Sequence, residues 1–272
     1  MSSNRIDFMT ESFKLLFNYR ARLAEGVTQD LRQQYSGSVL GLFWVLLYPL
    51  LQLAIYCTLY VFIFKVRPSG LTQWSYVVLV FSGLVPILAF NQALQMSISS
   101  LSGNKALLSS TVFPPILINV RAMLVAQFPM LFGMAITIVM ALMMGRTNIG
   151  LLILYIPILW VFLLAFVTGL GWILSLITLI ARDVQHSIGL ILMLMTFLSP
   201  FAYTPDMVPG ALKIVLYINP LTYFVRAFQD VICYGQHPQL LHLGVSFLLG
   251  WGTFYLGYYM FEKTKHTFFD YV

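Results

Sequence analysis

The chain has 272 residues, of which 60% are hydrophobic and only 9% are charged. Soluble domains carry roughly 25% charged residues, so this composition, with a mean hydropathy of +0.86, excludes a soluble globular protein and predicts an integral membrane protein. In such a protein the net charge of +6 does not indicate nucleic-acid binding, and we expect no nucleic-acid partner. The distribution of the basic residues instead indicates the orientation of the chain in the membrane.

The N-terminal segment predicts an amphipathic helix from about Phe13 to Leu31. Apolar side chains recur there at three- and four-residue steps, and basic or polar side chains take the other faces. Such a helix directly before a span is expected in the cytoplasmic interface, with a solvated helix packed on a partner as the alternative. We assign residues 1–36 to a cytoplasmic segment, whose polar start predicts no cleavable signal peptide.

A first membrane span is predicted between Gly37 and Phe64, where 28 residues carry no charge and about 20 suffice to cross the hydrocarbon core. Aromatic and amide side chains recur at every fourth position of this span: Trp44, Tyr48, Gln52, Tyr56, Tyr60 and Phe64. Because a four-residue step overshoots one α-helical turn by ~40°, this stripe is expected to wind about half way round the helix.

The middle of the stripe, Tyr48, Gln52 and Tyr56, is predicted to face the protein interior or a substrate pathway, because lipid cannot satisfy its polar atoms. Flat aromatic rings and hydroxyl groups suit sugars, and packing between helices is the alternative. Trp44 and Phe64 are assigned to the membrane interfaces.

Five further charge-poor windows predict an all-α fold with six transmembrane helices within residues 37–261, followed by a cytoplasmic tail at 262–272. The windows are Leu71–Asn104, Ala122–Gly145, Thr147–Ala181, Ser187–Pro205 and Val231–Phe261. The fifth span is the least regular, because its window is short and contains Pro200.

A re-entrant helical hairpin is predicted between the fifth and sixth spans. Three prolines occur within residues 200–209, and a short apolar run then leads to Asn219-Pro220 and an amphipathic segment that reaches Cys233. Irregular backbone at membrane depth is tolerated only where it is buried or lines a cavity. We therefore expect Pro200, Tyr203 and Asn219-Pro220 to shape two short helices that enter the outer leaflet and return.

Basic residues favour one side of this topology. Ten of them lie in the termini and in the second and fourth loops, against five on the opposite side. By the positive-inside rule, both termini are expected in the cytoplasm.

Patterns for catalysis are missing from the sequence: it has no paired carboxylates within a span, no phosphate-binding glycine loop and no Cys/His metal spacing. Asp183 and His186 lie three residues apart, but two ligands make a poor metal site and a turn cap is preferred. Cys57 and Cys233 are expected to be inert thiols. Every acidic residue lies at the end of a span or in a loop, which argues against an ion-coupled transporter and predicts an energy source outside the chain.

Four stretches resemble, in order, the permeases of ABC-2-type exporters. The run from Arg32 to Trp44, followed by Tyr48-Pro49-Leu50, is similar to the start of that family's first span. The other three are Phe113-Pro114, Arg182-Asp183-Val184 with His186, and Ser199-Pro200 through Tyr203 with Asn219-Pro220-Leu221. The most similar branch exports lipid-linked polysaccharides, namely O-antigen, with capsule and teichoic acid relatives.

Two positions depart from the family pattern. The family commonly has a second basic residue beside the tyrosine that corresponds to Tyr35, where this chain has only uncharged neighbours. It also often has an Arg-Asp pair where this chain has Gln229-Asp230, with Arg226 one turn earlier.

The resemblance implies a homodimeric, non-catalytic permease of the bacterial inner membrane that pairs with two cytoplasmic ATPase subunits. ATP and Mg would be bound by those subunits, and this chain would bind no cofactor and no metal. The substrate would be an undecaprenyl-diphosphate-linked glycan, with Arg32, Tyr35 and Arg121 at its cytoplasmic entrance. For Arg32 and Arg121, snorkelling to the interface is the alternative.

ATPase coupling is implied for the loop around Ser102–Ser110 and for the turn after the fourth span. The residues concerned are Ser102, Gly103, Asn104, Lys105, Arg182, Asp183 and His186. Three other readings stay open: an ABC-2 exporter of drugs or another lipid, a transferase acting on the same lipid carrier, and a structural subunit without a pathway.

Overall fold

The computed structural model describes residues 14–65, 70–104, 114–204, 207–210 and 213–269. These ranges contain helices and no strand, which confirms the all-α prediction. In chain order the helices are α1 (Arg20–Gln34), α2 (Trp44–Cys57), α3 (Gln73–Gly103), α4 (Ile116–Met143), α5 (Ile149–Ile180), α6 (Asp183–Leu198), α7 (Lys213–Ile218), α8 (Pro220–Ile232) and α9 (Leu240–Phe269). A short 3-10 turn, Gly41–Phe43, precedes α2, and a π-helical segment, Thr58–Ile63, follows it.

Five helices are long and apolar enough to cross a membrane: α2 with its flanking turns, α3, α4, α5 and the Leu240–Thr264 part of α9. The predicted fifth span corresponds to α6, whose 16 residues extend only ~24 Å against a hydrocarbon core of ~30 Å. Its end at Ser199 has extended backbone, the conformation that a following proline favours. The chain is thus a multi-pass membrane bundle with one shorter apolar helix.

Helix α1 confirms the predicted N-terminal amphipathic helix, with shifted bounds. Residues 14–18 are helical, Tyr19 forms a turn, and α1 then continues to Gln34. Its buried side chains, Leu23, Val27 and Leu31, pack against α4. The position of α1 relative to a membrane surface stays a prediction.

Helix α3 forms the centre of the bundle. It is buried along most of its length and packs against α4, α5 and α8. From Tyr76 to Phe90 its sequence is almost wholly apolar on all faces, which is the pattern of a helix surrounded by protein. Gly83 lets two neighbours approach closely, since a Cβ there would lie 2.9 Å from both Phe201 Cβ and Val225 Cγ1.

Helices α5 and α9 cross with backbone in direct contact. A Cβ at Gly169 would lie 2.2 Å from the carbonyl oxygen of Thr253, and one at Gly257 would lie 2.3 Å from the carbonyl oxygen of Gly169. Small residues at such a crossing increase van der Waals contact between helices, the main source of attraction in lipid. This crossing fixes α9 to the bundle.

Helix α8 lies inside the bundle and carries the amphipathic pattern seen in the sequence. Phe224 stacks on Phe166 of α5 with ring centroids 5.5 Å apart, and Phe228 meets Trp160 edge-on at 6.0 Å. Both cysteines are free; Cys233, which follows α8, is buried, whereas Cys57 is only partly buried.

We predict that Gly257→Ala destabilises the bundle by about 1–3 kcal/mol, because the added methyl group meets backbone that cannot move aside. Gly252→Ala on the same helix is the matched control, since nothing lies within 4 Å of its Cβ position. Thermal unfolding of the two purified variants in one detergent tests this. Equal midpoints would show that the crossing is looser than described.

Candidate functional site

A polar cleft of about 320 Å³ opens between the end of α1 and helices α2, α3 and α4. Its hydrogen-bonding groups are Gln34, Tyr35, Tyr48, Gln92 and Gln95. Trp44 adds an aromatic face, and none of the described residues that line the cleft is charged. Amides and phenols in a neutral setting suit a hydroxyl-rich ligand.

The predicted pathway residues Tyr48 and Gln52 lie together on α2. Gln52 Nε2 donates a hydrogen bond of 3.2 Å to the Tyr48 hydroxyl, and Tyr48, which lines the polar cleft, is 41% exposed. The side-chain oxygen of Gln52, Oε1, is buried without a hydrogen-bond partner among the described residues. Tyr48 therefore lines the cleft with Gln52 bonded to its hydroxyl group, and Gln52 itself is not among the lining residues.

The third predicted residue, Tyr56, belongs to a cluster of four rings that we call the aromatic track: Tyr56, Tyr60, Phe64 and Phe201. Tyr56 and Tyr60 are stacked at 6.5 Å and 7°, and Tyr60 meets Phe64 edge-on at 5.6 Å. Phe201 packs edge-on against Tyr56 at 5.9 Å and against Tyr60 at 5.5 Å. The track continues the line of Tyr48 and Gln52 along α2.

The π-helical segment explains why these rings stay in contact. Its hydrogen bonds join residues five apart, so its turn is wider than an α-turn and a four-residue step no longer overshoots it. The winding expected from ideal α-helix geometry therefore does not apply beyond Cys57. Sequence reasoning missed the π-helix, because no local residue pattern marks it.

Of the three predicted entrance residues, only Tyr35 lines the cleft. Burial raises the pKa of Tyr35 above its ordinary value, and neighbouring Tyr48 adds to the shift, so its hydroxyl stays a donor at neutral pH. Arg32 is exposed on the last turn of α1. It lies two residues from Asp30 and thus faces away from it.

Arg121 of α4 holds Asp30 of α1 in a two-point ion pair. Its Nε donates to Asp30 Oδ2 at 2.6 Å, and its Nη2 donates to Oδ1. Gly26 makes room for this side chain, because a Cβ there would lie 2.8 Å from Arg121 Nε. Arg32 and Arg121 are therefore not brought together, and the glycine that weakens α1 in sequence terms accommodates the ion pair.

Most of the proposed coupling residues lie at the ends of α3 and α6. Ser102 and Gly103 end α3, and Asn104 Nδ2 donates to the Ser100 carbonyl oxygen at 2.9 Å. Lys105 and the rest of the predicted coupling loop lie outside the described residues. Among the described residues, no group of three or more potential ligands could hold a metal ion.

The start of α6 exposes Arg182, which precedes the helix, and Asp183 and His186 in its first turn. Asp183 lies in the first helical turn, where an acid is favoured by the helix dipole, and the N-cap residue Arg182 makes no side-chain cap bond. The expected turn cap is thus replaced by a charge interaction. These three side chains present a polar surface beside the start of α6.

The predicted hairpin residues join α6, α7 and α8 by side-chain hydrogen bonds. Asn219 Nδ2 donates to the Met195 carbonyl oxygen at 3.0 Å and to Ser199 Oγ at 2.9 Å, and its Oδ1 accepts from the Leu221 backbone N–H at 3.1 Å. The Tyr203 hydroxyl donates to the Leu198 carbonyl oxygen at 2.9 Å. Pro220 takes the first position of α8, where its missing N–H costs nothing.

Gln229 is a structural residue that sequence reasoning did not assign. Its Nε2 lies within 3.1–3.4 Å of the carbonyl oxygens of Pro200, Phe201 and Leu79. It therefore connects α8 both to α3 and to the segment after α6. Only its position in the sequence, where the resembling family has arginine, pointed to it.

A family model described as ABC-2 type transporter matches residues 26–233, well over half of the chain. The chain belongs to the ABC-2 type transporter family. The matched region begins in α1 and ends just after α8, so it includes the polar cleft, the aromatic track and the Asp30–Arg121 pair.

Relatives of this ABC-2 protein carry the name O-antigen export system permease protein RfbA. Two come from Klebsiella pneumoniae and are 26% and 25% identical over 240 residues, covering 88% of this chain and 90% of each relative. One from Myxococcus xanthus is 24% identical over 242 residues, covering 87% of this chain and 91% of its own. The expected family resemblance is confirmed.

We predict that Asp30→Asn loosens α1 from α4, because Arg121, with only 19% of its side chain exposed, loses its counter-charge. The expected cost is about 1–3 kcal/mol. Faster tryptic cleavage within α1 of the purified protein, relative to the exposed control Glu25→Gln on the same helix, measures the effect. Cleavage rates equal to that control would mean that the ion pair does not hold α1.

Proposed function

We propose that this protein is the permease subunit of an ATP-driven exporter that moves an undecaprenyl-diphosphate-linked polysaccharide, O-antigen, from the cytoplasm across the bacterial inner membrane. One observation carries the proposal: α2 joins a neutral, amide-rich cleft to a continuous series of aromatic rings. Such a path suits a polysaccharide, because its hydroxyl groups form hydrogen bonds and its C–H faces pack on aromatic rings. The names of the relatives agree with this substrate.

In this proposal the glycan passes Tyr48, Gln52 and Tyr56. Arg32 and Tyr35 receive the lipid pyrophosphate at the rim, since guanidinium groups suit phosphate oxygens. Arg121 contributes at the same entrance by holding α1 through Asp30.

The proposed topology has six spans with both termini in the cytoplasm, and α6 is its short fifth span. Support comes from α8, whose start at Asn219 lies beside the end of α6. Its other end lies beside the start of α3 and the α4–α5 turn, where Thr147 Oγ1 donates to the Val231 carbonyl oxygen at 2.8 Å. Thirteen residues rise ~20 Å, so α7 and α8 form a re-entrant hairpin that reaches mid-membrane depth and returns.

A second copy of the chain completes the proposed pathway. Only 17% of the most apolar stretch of Gly41–Ile63, which contains α2, is buried. Helix α6 exposes Leu190, Leu194 and Phe197. Apolar helices that border a polar cleft are suited to face their counterparts across a two-fold axis. The homodimer would then enclose two aromatic tracks.

Two ATPase subunits, which bind ATP and Mg, are proposed to supply the energy from the cytoplasm. The end of α3 and the α5–α6 turn lie on the same side of the bundle, so the segment from Ser102 to Asn104 and the exposed turn from Arg182 to His186 together offer a docking surface. The chain itself is proposed to bind no cofactor.

Loss of this protein tests the substrate. We expect the lipid-linked glycan to accumulate on the cytoplasmic side and surface polysaccharide to disappear, and a plasmid copy to restore both. The protein should also co-purify with an ATPase whose hydrolysis rate depends on it. Unchanged surface polysaccharide together with retention of a drug or another lipid would instead identify a different ABC-2 exporter.

We predict that Tyr48→Leu and Tyr56→Leu each reduce export at least several-fold, because leucine removes the hydroxyl and the flat ring while preserving apolar bulk. Tyr259→Leu is the control, since Tyr259 is an exposed α9 tyrosine outside the cleft and the track. Surface polysaccharide per permease in membranes measures the effect. Export at the control level in both pathway variants would remove the aromatic track from the proposal.

A further inference from the structure

A second cavity lies on the opposite face of α4 from the polar cleft. This groove has a volume of about 580 Å³ and runs between α1, α4, α5 and α9. Val27, Leu124, Val161 and Trp251 represent the four helices that line it. The hydroxyl groups of Thr28 and Thr168 both bond to backbone carbonyl oxygens of their own helices, so they leave the lining effectively apolar.

The groove is open to the side. Along α4 its lining extends over the nine residues from Val120 to Phe128, a rise of ~12 Å. Phe128 and Val161 are 41% and 48% exposed although they are apolar. The part of the groove that they line is therefore open to the surroundings of the protein. This shape suits a flexible hydrocarbon chain rather than a folded partner.

Arg20 is the one charged residue among the described residues that line the groove. Its guanidinium lies 4.0 Å from the centroid of the Phe17 ring, and Nη1 donates to the Phe17 carbonyl oxygen at 2.9 Å. No described carboxylate forms an ion pair with it. A guanidinium has five N–H donors, so the side chain is oriented by Phe17 and keeps donors for an anion.

We infer that this groove binds one acyl chain of an anionic phospholipid of the surrounding bilayer, with the lipid phosphate on Arg20. A single acyl chain gives only marginal, reversible membrane binding, so a stable site needs a second attraction. A cation at the mouth of an apolar slot supplies it, because guanidinium and phosphate form charge-assisted hydrogen bonds. The inference goes beyond the proposed export function and does not depend on the transported glycan.

The bound lipid would fill the space that α1 covers, and it would hold the first part of α1 as the Asp30–Arg121 pair holds its last part. Leu23 and Val27 belong to the protein core and also line the groove, so an acyl chain in the groove would add contacts to side chains that hold α1 in place. We therefore expect α1 to be more stable in membranes that contain anionic lipid.

Lipid titration of the purified, delipidated full chain in detergent tests this, with phosphatidylglycerol and phosphatidylcholine as the probes. Native mass spectrometry counts bound lipid, and thermal unfolding reports stability. Wild-type protein should bind phosphatidylglycerol about tenfold more tightly than phosphatidylcholine, because both lipids carry the phosphate but the choline cation of phosphatidylcholine cancels its charge and repels Arg20. Arg20→Gln should abolish that difference and weaken phosphatidylglycerol binding more than phosphatidylcholine binding.

Ala24→Trp supplies a second variant, because Ala24 is exposed and lines the groove, so indole fills the slot without displacing the core. It should weaken the binding of both lipids at least tenfold, while the unfolding midpoint of the lipid-free protein stays unchanged. Lys263→Gln, an exposed basic residue outside the groove, is the control and should alter neither affinity.

Four results would overturn the inference. These are equal affinity of wild type for the two lipids, a phosphatidylglycerol affinity unaffected by Arg20→Gln, lipid binding unaffected by Ala24→Trp, and tenfold tighter lipid binding after removal of residues 1–13. The last result would assign the groove to the N-terminal segment. A polyprenyl lipid that co-purifies in place of phospholipid would also overturn the inference, because the groove would then be a substrate site. All of these lipid-binding results can be obtained whether or not the protein exports O-antigen.

Discussion

Helix α3 is packed against protein along almost its whole length, and its neighbours are joined to it through the few polar groups that they bury. Four such bonds are Asn91 Nδ2 to Thr196 Oγ1 at 2.7 Å, Gln127 Nε2 to the Ala89 carbonyl oxygen at 3.2 Å, Asn119 Nδ2 to the Ser97 carbonyl oxygen at 3.2 Å, and Gln229 Nε2 to the Leu79 carbonyl oxygen at 3.4 Å. They connect α6, α4 and α8 to one axis. In lipid the apolar surface of a helix does not select its neighbour, so close packing and such polar bonds determine the arrangement.

Helix α4 separates two environments of opposite character. Its Val125, Ala126 and Pro129 line the polar cleft, whereas Val120, Leu124 and Phe128 line the apolar groove. Helix α1 borders both, since Gln34 belongs to the cleft and Leu23 to the groove. The proposed path for a hydrophilic chain and the proposed slot for hydrocarbon thus lie one helix apart, and the protein between them is apolar and closely packed.

Local sequence signals predicted the elements well. Long charge-free runs gave the spans, periodic apolar residues gave α1, and Asn219-Pro220 marked the start of α8, because each of these depends on properties of neighbouring residues. The candidate residues Tyr48 and Gln52 were also found locally, since they lie one turn apart on the same helix.

The contacts between distant residues were not predictable in this way. Asp30 and Arg121 are separated by 91 positions, and nothing in either segment identifies the other. Glycine is unfavourable within a helix, and only the tertiary structure shows that Gly26 makes room for the Arg121 side chain. The π-helical segment was not predictable either, because no local residue pattern marks it, whereas the end of α6 follows from Pro200.

The loose attachment of α2 has a mechanical consequence. The helices α3, α5, α8 and α9 are joined by backbone contact, stacked rings and buried amides, so they are expected to move as one body. Helix α2 is attached chiefly to α4 and carries a non-standard turn at its far end. A force applied at the end of α2 that follows α1 would therefore tilt α2 as a lever against a rigid body, opening or closing the space beside it without disturbing the core on which it rests.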